Sequence, residues 1–472
     1  MQIRFGTDGW RGVIAREFTF ENLSIVAQAT MDWITREGVA EKGIVVGYDR
    51  RFLSREFAER VAEVAIGNDI RVFLCENVVP TPSVSWAVKE KGAAAGVMIT
   101  ASHNPPIYNG FKIKESFGGS ARPATTALIE KIVEYNIQNN RPVRFTALDD
   151  GRKKGLVELF DADDGYIRQL GRVIDFEKIR GAGISAIADP MYGAGSGYFR
   201  RLLGMDEINC EPNPLFGGHS PEPIAKNLKD LMEIIVSRRY SLGLALDGDA
   251  DRIGAVDENG EFFSSHSIFS IILKHLVERK GMKGAVVKTV SSTRLVDCLA
   301  AKYNLPIMET PIGFKHICEL MLEGDVLMGG EESGGLGVSI HLPERDGILM
   351  GLLLLESVAY TGKGLKEQLG EIMEEQGHLY YRRIDTGIGI EEKQKLMELL
   401  DKNPPPEVAG RVVSSTNFSD GFKFVFENGD WLLIRPSGTE PVLRLYSEAT
   451  DVRMVDTLLL AGRRISGLDN HH

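Results

Sequence analysis

Short apolar runs followed by helical patterns recur along this chain, and that alternation constrains its fold more than any other feature. Three such runs, each with the helical pattern after it, lie at 43–50 and 53–67, at 184–190 and 198–203, and at 284–290 and 293–303. Strands that alternate with helices are typical of βαβ units in parallel or mixed sheets. The sequence therefore predicts an α/β protein with three similar α/β domains and mixed sheets.

The last hundred residues have a different pattern. Three consecutive prolines at 404–406 mark a loop, and strand-like runs follow at 411–419, 422–427 and 430–435. Consecutive strands of this kind favour a smaller α+β domain. A chain of 472 residues is also too long for one core, since a domain commonly takes about 100 to 150 residues. Four domains around a central cleft are expected, at 1–150, 151–256, 257–368 and 369–472.

Composition limits the partners of the chain. A net charge of −11 argues against nonspecific binding to nucleic acid, which needs a basic surface. An anionic substrate would need a locally basic cleft, because the overall field repels it. The most apolar candidate helix, at 348–360, is too short to cross a bilayer and contains Glu356. Neither a nucleic-acid partner nor insertion into a membrane is expected.

The cysteines lack the spacing of a metal site or a redox pair. Cys75, Cys210, Cys298 and Cys318 include no CxxC pair, so they are interpreted as reduced, mostly buried thiols. The first twelve residues carry charges where a secretory signal would have its apolar core. A cytoplasmic location is predicted.

The stretch TASHNPPIYNGFK at 100–112 places a serine between an apolar segment and a loop that contains two prolines. The segment before it, at 94–99, is interpreted as a buried strand, and the prolines cannot continue it because proline lacks the N–H of a β-ladder. Ser102 would then lie at the carboxyl end of a strand, where open α/β sheets bind ligands. His103 and Lys112 are both candidates for a base that takes a hydroxyl proton. Alone, a serine beside a histidine is most often only turn chemistry.

A second motif, LDGDADR at 246–252, carries aspartates at alternate positions. Hard divalent cations bind several oxygen ligands, and Asp247, Asp249 and Asp251 could supply one each. An EF-hand is a competing interpretation, but Arg252 stands where that loop needs glycine, and the flanking runs are strand-like. A solvated acidic turn is the remaining alternative.

Two further motifs are rich in turn residues. GGEESGG at 329–335 offers a carboxylate and a hydroxyl on a flexible backbone that can approach a sugar closely, although alone it could be any turn. RPSGTEP at 435–441, followed by Arg444, combines an arginine, two hydroxyls and a glycine amide. These groups suit a compact phosphate cradle, and a structural turn is the alternative.

Together the four stretches resemble, in the expected order, the signature loops of the α-D-phosphohexomutases, the phosphoglucomutase and phosphomannomutase superfamily. The resemblance spans essentially the whole chain and implies the plan of three α/β domains and a smaller fourth. It implies that Ser102 is phosphorylated in the active enzyme, that Mg2+ bridges Asp247, Asp249, Asp251 and the phosphoserine, and that a phosphoryl group moves between two positions of a hexose.

The resemblance also implies roles for single residues. Those implied to neutralise the charge of the transferred group are Arg11, Lys112 and Arg252, with His103 and Lys112 left as alternative bases. Those implied to contact the sugar are Glu331, Ser333 and, from the TPIGFK stretch, Lys315. Those implied to hold the phosphate that is not being transferred are Arg435, Ser437, Gly438, Thr439 and Arg444.

The expected substrates are glucose 1-phosphate and glucose 6-phosphate, with glucose 1,6-bisphosphate as intermediate and activator. Glucosamine-type and dual mannose/glucose-type enzymes resemble GEQSGH and GEMSGH at the third motif, whereas this chain has Glu332 and Gly335 and is closer to the glucose type. Mannose or dual specificity is the alternative, and glucosamine specificity is less favoured.

Two other classes of protein are less consistent with the residues. A serine-nucleophile phosphatase with two metals would need more His and Asp ligands than one triple-Asp loop provides. A non-catalytic sugar-phosphate-binding homologue would predict damage to Ser102, Lys112 or the aspartates, and all of them are present.

Overall fold

The computed structural model describes residues 3–437 and 442–468. The first sheet and its helices consist of β1 (Trp10–Val13), α1 (Phe20–Arg36), β2 (Ile44–Tyr48), α2 (Ser54–Gly67), β3 (Val72–Cys75), α3 (Thr81–Lys91), β4 (Ala95–Ile99), β5 (Tyr108–Glu115), α4 (Pro123–Gln138), α5 (Leu148–Lys153) and β6 (Val157–Phe160). The strand order is β1-β5-β4-β2-β3-β6. Strands β4, β2, β3 and β6 are parallel, β5 is antiparallel to β4, and β1 is antiparallel to β5. Strands β2 and β4 are buried throughout, as in parallel strands covered on both faces.

The second sheet is also mixed. Its elements are α6 (Asp163–Val173), α7 (Phe176–Gly181), β7 (Ala186–Asp189), α8 (Tyr198–Leu203), β8 (Asp206–Glu207), α9 (Lys229–Arg238), β9 (Leu242–Leu246), β10 (Ile253–Asp257) and β11 (Phe262–Phe263). The order is β11-β10-β9-β7-β8. Strands β9, β7 and β8 are parallel, β10 is antiparallel to β9, and β11 is antiparallel to β10. Strands β9 and β10 therefore flank the 247–252 loop, which excludes the helices of an EF-hand.

The third sheet is again mixed and is followed by two helices. Its elements are α10 (Ser265–Glu278), β12 (Ala285–Thr289), α11 (Leu295–Lys302), β13 (Ile307–Thr310), α12 (Phe314–Glu323), β14 (Val326–Gly330), β15 (Leu336–Val338), α13 (Gly347–Thr361) and α14 (Leu365–Gln376). The order is β13-β12-β14-β15, of which only the last pair is antiparallel within the described chain. Helix α13 is almost entirely buried. It joins the second and third sheets, because one apolar core includes Phe199 and Leu244 from one side and Phe269 and Leu299 from the other.

The fourth sheet is antiparallel. Its strands are β16 (Tyr380–Gly387), β17 (Glu407–Val408), β18 (Arg411–Asn417), β19 (Phe422–Phe426), β20 (Trp431–Pro436) and β21 (Val442–Ala449), with helices α15 (Ile390–Lys402) and α16 (Val452–Ile465). The strand order is β16-β21-β20-β19-β18-β17. Three α/β units with mixed sheets and a smaller α+β unit confirm the predicted fold class.

Three elements do not fit the expected domain boundaries: two strands lie beyond the boundary of the sheet they join, and one helix crosses a boundary. Strand β6 pairs with β3 of the first sheet beyond residue 150, and β11 pairs with β10 of the second sheet beyond residue 256. Helix α14 runs across the boundary expected after residue 368. We propose that the first three domains end after β6, β11 and α14, because a paired strand or a continuous helix is not divided between domains.

No single helix in the described part of the chain is long and apolar enough to cross a membrane. Helices α13 and α14 reach the required length and composition only as a pair, and the two are bent by 80°. The four cysteines are free thiols; Cys75 and Cys318 are buried, whereas Cys210 and Cys298 are half-buried.

Candidate active site

Ser102 lies just after β4, as the sequence predicts, and its backbone is in the left-handed region with φ 51°. That conformation is uncommon for a residue with a side chain and is typical of functional turns. The backbone N–H of Ser102 donates to Thr100 Oγ1 at 2.9 Å, and the serine is fully buried. The turn thus directs one hydroxyl into the interior of the cleft.

Arg51 holds this turn in place. Its guanidinium donates to the carbonyl oxygens of Ser102 at 2.6 Å, Asn104 at 2.7 Å, Pro105 at 2.9 Å and Tyr108 at 3.0 Å. Arg51 also forms an ion pair with Asp49, whose Oδ2 lies 3.2 Å from Arg51 Nε. Both side chains are wholly buried. The planar fork of an arginine is suited to several carbonyls at once.

The β9–β10 loop brings a cluster of three aspartates to the serine hydroxyl, which contacts one of them. Ser102 Oγ donates to Asp247 Oδ2 at 2.6 Å. One carboxylate oxygen from each of Asp247, Asp249 and Asp251 lies within 4.8 Å of the others. Gly248 permits this approach, since a Cβ there would lie 2.5 Å from the carbonyl oxygen of Ser102.

Lys112 neutralises part of this buried negative charge. Its Nζ lies 2.7 Å from Asp249 Oδ2, 2.7 Å from Asp251 Oδ2 and 2.8 Å from Asp8 Oδ2. Burial opposes the charged form of Lys112, but these carboxylates outweigh it and raise the pKa of the lysine. Burial likewise opposes the charged form of Asp249, yet Lys112 lowers the pKa of that carboxyl.

The aspartate cluster fits a hard divalent cation. Oδ1 of Asp249 and Oδ1 of Asp251 are buried without a hydrogen-bond partner. The pKa of Asp247 is raised well above its usual range, first by burial and then by the charges of Asp249 and Asp251. A cation with several oxygen ligands would satisfy the orphaned oxygens and relieve this repulsion.

The two candidate bases have different charge states. Nδ1 of His103 lies 3.4 Å from Ser102 Oγ, and burial followed by the charges of Arg252 and Arg11 lowers the pKa of His103 well below its usual range. The imidazole is therefore neutral at pH 7, whereas the raised pKa of Lys112 keeps it an ammonium.

The other predicted residues of this region also reach the cleft. Arg11 donates to Asn104 Oδ1 beside the serine turn. The backbone N–H of Arg252 donates to Asp247 Oδ1 at 3.1 Å, and the Nε of Arg252 is buried without a hydrogen-bond partner. Lys315 is half-buried in the first turn of α12 and lines a small pocket with Asp8.

The predicted sugar loop is connected to the aspartate cluster through Arg345. The guanidinium of Arg345 pairs with Asp8, lies 2.8 Å from Asp251 Oδ2 and 3.6 Å from Glu331 Oε2. Glu331 Oε1 accepts from the backbone N–H of Gly313 at 3.1 Å, and burial raises the pKa of Glu331. Ser333, two positions on, is half-buried.

The predicted phosphate residues lie on the fourth domain. Arg435 Nε donates to Asp420 Oδ1 at 2.9 Å, and Arg444 Nε lies 3.6 Å from Asp385 Oδ2. Ser437 is buried, and its backbone N–H donates to Val442 at 2.8 Å. The two remaining predicted residues, Gly438 and Thr439, lie outside the described residues.

Asp8, Arg51 and Arg345 were missed by the sequence predictions, although they are central to the site. Asp8 stands between glycine-containing turns in the GTDGWRG stretch, where only Arg11 was selected. Arg345 lies in the charged run PERDG, which resembles an exposed turn but is 3% exposed. For Asp8, its position between two glycines was the signal that could have indicated a functional turn. The run around Arg345 gave no such signal, because charged runs are ordinarily solvated.

Family models match the chain in four consecutive segments. They are the phosphoglucomutase/phosphomannomutase alpha/beta/alpha domains I, II and III at residues 2–140, 164–260 and 264–376, and the C-terminal domain at 389–460. The four domains and the serine–aspartate site define a phosphohexomutase. The chain belongs to the phosphoglucomutase/phosphomannomutase family.

Relatives with different names are similar to it over nearly their whole length. A phosphoglucomutase/phosphomannomutase of Thermococcus kodakarensis is 30% identical over 450 residues, covering 94% of each chain. A protein of Methanothermobacter thermautotrophicus, provisionally named phosphoglucosamine mutase, is 32% identical over 452 residues, covering 94% of this chain and 93% of its own. A crystal structure from Thermus thermophilus, provisionally named a phosphomannomutase, has a TM-score of 0.85 at 37% identity and covers 99% of both chains.

Proposed function

We propose that this protein interconverts glucose 1-phosphate and glucose 6-phosphate through a phosphoserine at Ser102 and a glucose 1,6-bisphosphate intermediate. The observation that carries the proposal is the 2.6 Å bond from Ser102 Oγ to Asp247 inside a buried triple-aspartate site. The seryl oxygen and a cation site are thereby adjacent, as phosphoryl transfer requires.

The reaction consists of two phosphoryl transfers, one from the serine to the sugar and one from the sugar back to the serine. In the first, a sugar hydroxyl oxygen attacks the phosphorus of phosphoserine, a base in the cleft takes the hydroxyl proton, and the Ser102 Oγ–P bond breaks, with Oγ taking up a proton as it leaves. The bisphosphate then reorients, and Ser102 Oγ gives its proton to the base and attacks the other phosphorus. The bond from that phosphorus to the sugar oxygen breaks, and the sugar oxygen takes up a proton. Mg2+, when bound at Asp247, Asp249 and Asp251, would neutralise charge on the transferring group.

The protein groups around the cleft have complementary tasks. Arg11, Lys112 and Arg252 place positive charge beside the serine turn, where charge on the phosphoryl oxygens would otherwise be repelled. Glu331, whose Oε1 accepts from the backbone N–H of Gly313, would accept hydrogen bonds from ring hydroxyls with its other oxygen. Arg435 would hold the distal phosphate.

The glucose assignment is supported by the 329–335 loop. A side chain at position 335 would begin 2.3 Å from Cδ of Arg345. A histidine there, as in glucosamine-type and dual-type loops, would therefore require Arg345 to leave its place beside Glu331. Mannose or dual specificity is the second candidate and glucosamine specificity the third, since similar proteins carry both names.

The proposal is tested by mass spectrometry and steady-state kinetics. We expect one phosphate on Ser102 in part of the purified protein and near-complete loss of turnover in Ser102→Ala, with Ser237→Ala on exposed α9 as the matched control. For glucose 1-phosphate, kcat/KM should exceed that for mannose 1-phosphate and glucosamine 1-phosphate by about ten- to a hundredfold, the usual value of one specific hydrogen bond. Phosphate at another residue, or an active alanine variant, contradicts the mechanism; better turnover of another sugar contradicts only the glucose assignment.

A further inference from the structure

The turn between β18 and β19 connects the fourth domain to the third at the segment 309–312. Asn417 Nδ2 donates to Glu309 Oε1 at 2.7 Å, and Lys423 Nζ donates to Glu309 Oε2 at 2.7 Å. Asp420, at the tip of the same turn, accepts at Oδ2 from the backbone N–H of Ile312 at 2.9 Å. Side chains before, within and after the turn therefore bind it to the third domain.

Asp420 contacts a second partner with its other oxygen. Its Oδ1 accepts from Arg435 Nε at 2.9 Å, and the two side chains are 21% and 10% exposed. Strand pairing places them together, since Phe422 is opposite Ile434 and a Cβ on Gly421 would lie 3.0 Å from Arg435 Cβ. One carboxylate thus joins the arginine of the fourth domain to the backbone of the third.

The contact with Asp420 leaves the far end of the Arg435 guanidinium available to a ligand. Asp420 engages Nε, at the near end of the guanidinium, which fixes the plane of the group. The two terminal nitrogens form the edge that commonly binds a phosphate through two parallel hydrogen bonds. Asp420 therefore orients Arg435 without using the edge that a phosphate would need.

The same carboxylate is connected to the predicted sugar loop. Ile312, bound by Asp420, precedes Gly313, whose backbone N–H donates to Glu331 Oε1 at 3.1 Å. The chain of contacts runs from Arg435 through Asp420 and the backbone at 312–313 to Glu331. In the proposed function, this chain of contacts joins the arginine assigned to the distal phosphate to the glutamate assigned to the sugar.

We infer that Asp420 is a positioning residue that aligns Arg435 for the distal phosphate and couples it to the backbone that holds Glu331. This inference rests on the proposed function. An uncoupled Arg435 would have to be ordered at the expense of binding free energy, because long side chains lose rotamer freedom when they bind. Loss of Asp420 should thus weaken the binding of substrate more than it slows the chemical step.

Binding is measured by calorimetry in the Ser102→Ala background, where no phosphoryl transfer interferes. Adding Asp420→Ala should raise the Kd for glucose 6-phosphate about tenfold, the usual cost of a hydrogen bond to a charged group. With Ser102 intact, Asp420→Ala should raise KM by a similar factor and change kcat less than threefold. Asp420→Asn keeps one acceptor oxygen, so its Kd and KM should lie between those of the parent and of Asp420→Ala.

Asn417→Ala is the comparison variant, because it removes a contact of the same turn with Glu309 and leaves Asp420 in place. If the turn only anchors the fourth domain on the third, Asn417→Ala should raise the Kd as much as Asp420→Ala does. That result overturns the inference. So does a Kd or KM for Asp420→Ala within twofold of the parent, or a tighter Kd, which would mean that Asp420 competes with phosphate. Absence of hexose phosphate binding to the Ser102→Ala protein itself contradicts the proposed function instead.

A double-mutant cycle separates alignment from general damage. Asp420→Ala and Arg435→Lys should each raise KM. The KM of the double variant should rise by less than the product of the two single increases, because both substitutions remove the same interaction. Independent factors that multiply fully would show that the two residues act separately and would overturn the inference.

Discussion

At the scale of single residues, the site is a balance of buried charges. Lys112 and Arg345 are both almost fully buried, and Asp251 is bound by both of them. Removing one partner from such a group leaves an uncompensated charge in the interior, which typically costs about 3–5 kcal/mol. Each of these residues therefore stabilises the cleft as well as shaping it.

A cation is expected to complete this balance. Asp249→Asn keeps the size of the side chain but removes a charge and an orphaned carboxylate oxygen. Changes among the outer partners of metal ligands already cost about 10–100-fold in affinity or activity, so loss of a direct ligand should cost at least roughly 100-fold. The measurements are turnover with and without a chelator and Mg2+ affinity by calorimetry.

Asp401→Asn, on the exposed surface of α15, is the matched control and should bind the metal as the parent does. Full turnover in excess chelator, or unchanged Mg2+ affinity in Asp249→Asn, would mean that the β9–β10 loop is only an acidic turn.

At the scale of elements, the connection between β4 and β5 is rigid because Arg51 reaches it from the end of β2. Four carbonyl oxygens of the connection accept from one guanidinium. Backbone oxygens turned inward need donors, since a buried polar group without a partner costs about 1–3 kcal/mol. The position of Ser102 is thus set by a residue far earlier in the chain.

Arg51→Lys should therefore lower both stability and turnover. Lysine keeps the charge beside Asp49 but has three donors in a compact group and cannot span four carbonyls. We expect a loss of about 1–3 kcal/mol in stability and, because Ser102 is displaced, at least a roughly tenfold drop in kcat. Thermal unfolding and steady-state kinetics measure the two effects. Arg55→Lys, on the exposed face of α2 and 67% exposed at its side chain, should change neither, and equal behaviour of the two variants would contradict the role of Arg51.

At the scale of the whole molecule, the fourth domain packs on the third through an apolar patch surrounded by polar contacts. Val290 and Ile312 of the third domain share a cluster with Trp431 and Tyr446 of the fourth. His266 of α10 lies at this border, with its ring edge-on to Tyr381 at 4.4 Å between ring centroids. The Nε2 of His266 is buried without a hydrogen-bond partner.

Acid should weaken the molecule through this histidine. Burial, with a smaller contribution from Lys288, lowers the pKa of His266 to about 3. The unfolded chain binds this proton below a pKa of about 6.5, so stability is complete above that pH and is lost as pH falls toward 3. From pH 7.5 to pH 5 the loss through His266 should be about 2 kcal/mol.

His266→Phe keeps an aromatic ring against Tyr381 and should reduce the acid-dependent fall in Tm. The same change at the exposed His378 should leave the pH profile of Tm as it is in the parent. If His266→Phe has the full acid dependence of the parent, His266 is not the group that titrates.

Much of the architecture was encoded locally. Buried strands such as β2 and β12 are short apolar runs, and their spacing from the following helices predicted the mixed α/β sheets. The serine and aspartate loops were also recognisable, because the residues to which we assign the proposed chemistry are clustered within a few positions of one another in LDGDADR and TASHNPP.

The folded chain was needed to show which distant charges complete the site. Arg345 and Asp8 are 337 positions apart yet pair in the cleft, and Asp420 meets Ile312 across 108 positions. No periodicity marks such residues, since local patterns report which face is buried and not which remote group lies opposite. Local sequence specified the strands, the helices and the order of the four loops. The pairing of buried charges between domains depended instead on how those domains pack, because a charge is stable in the interior only where folding brings its partner.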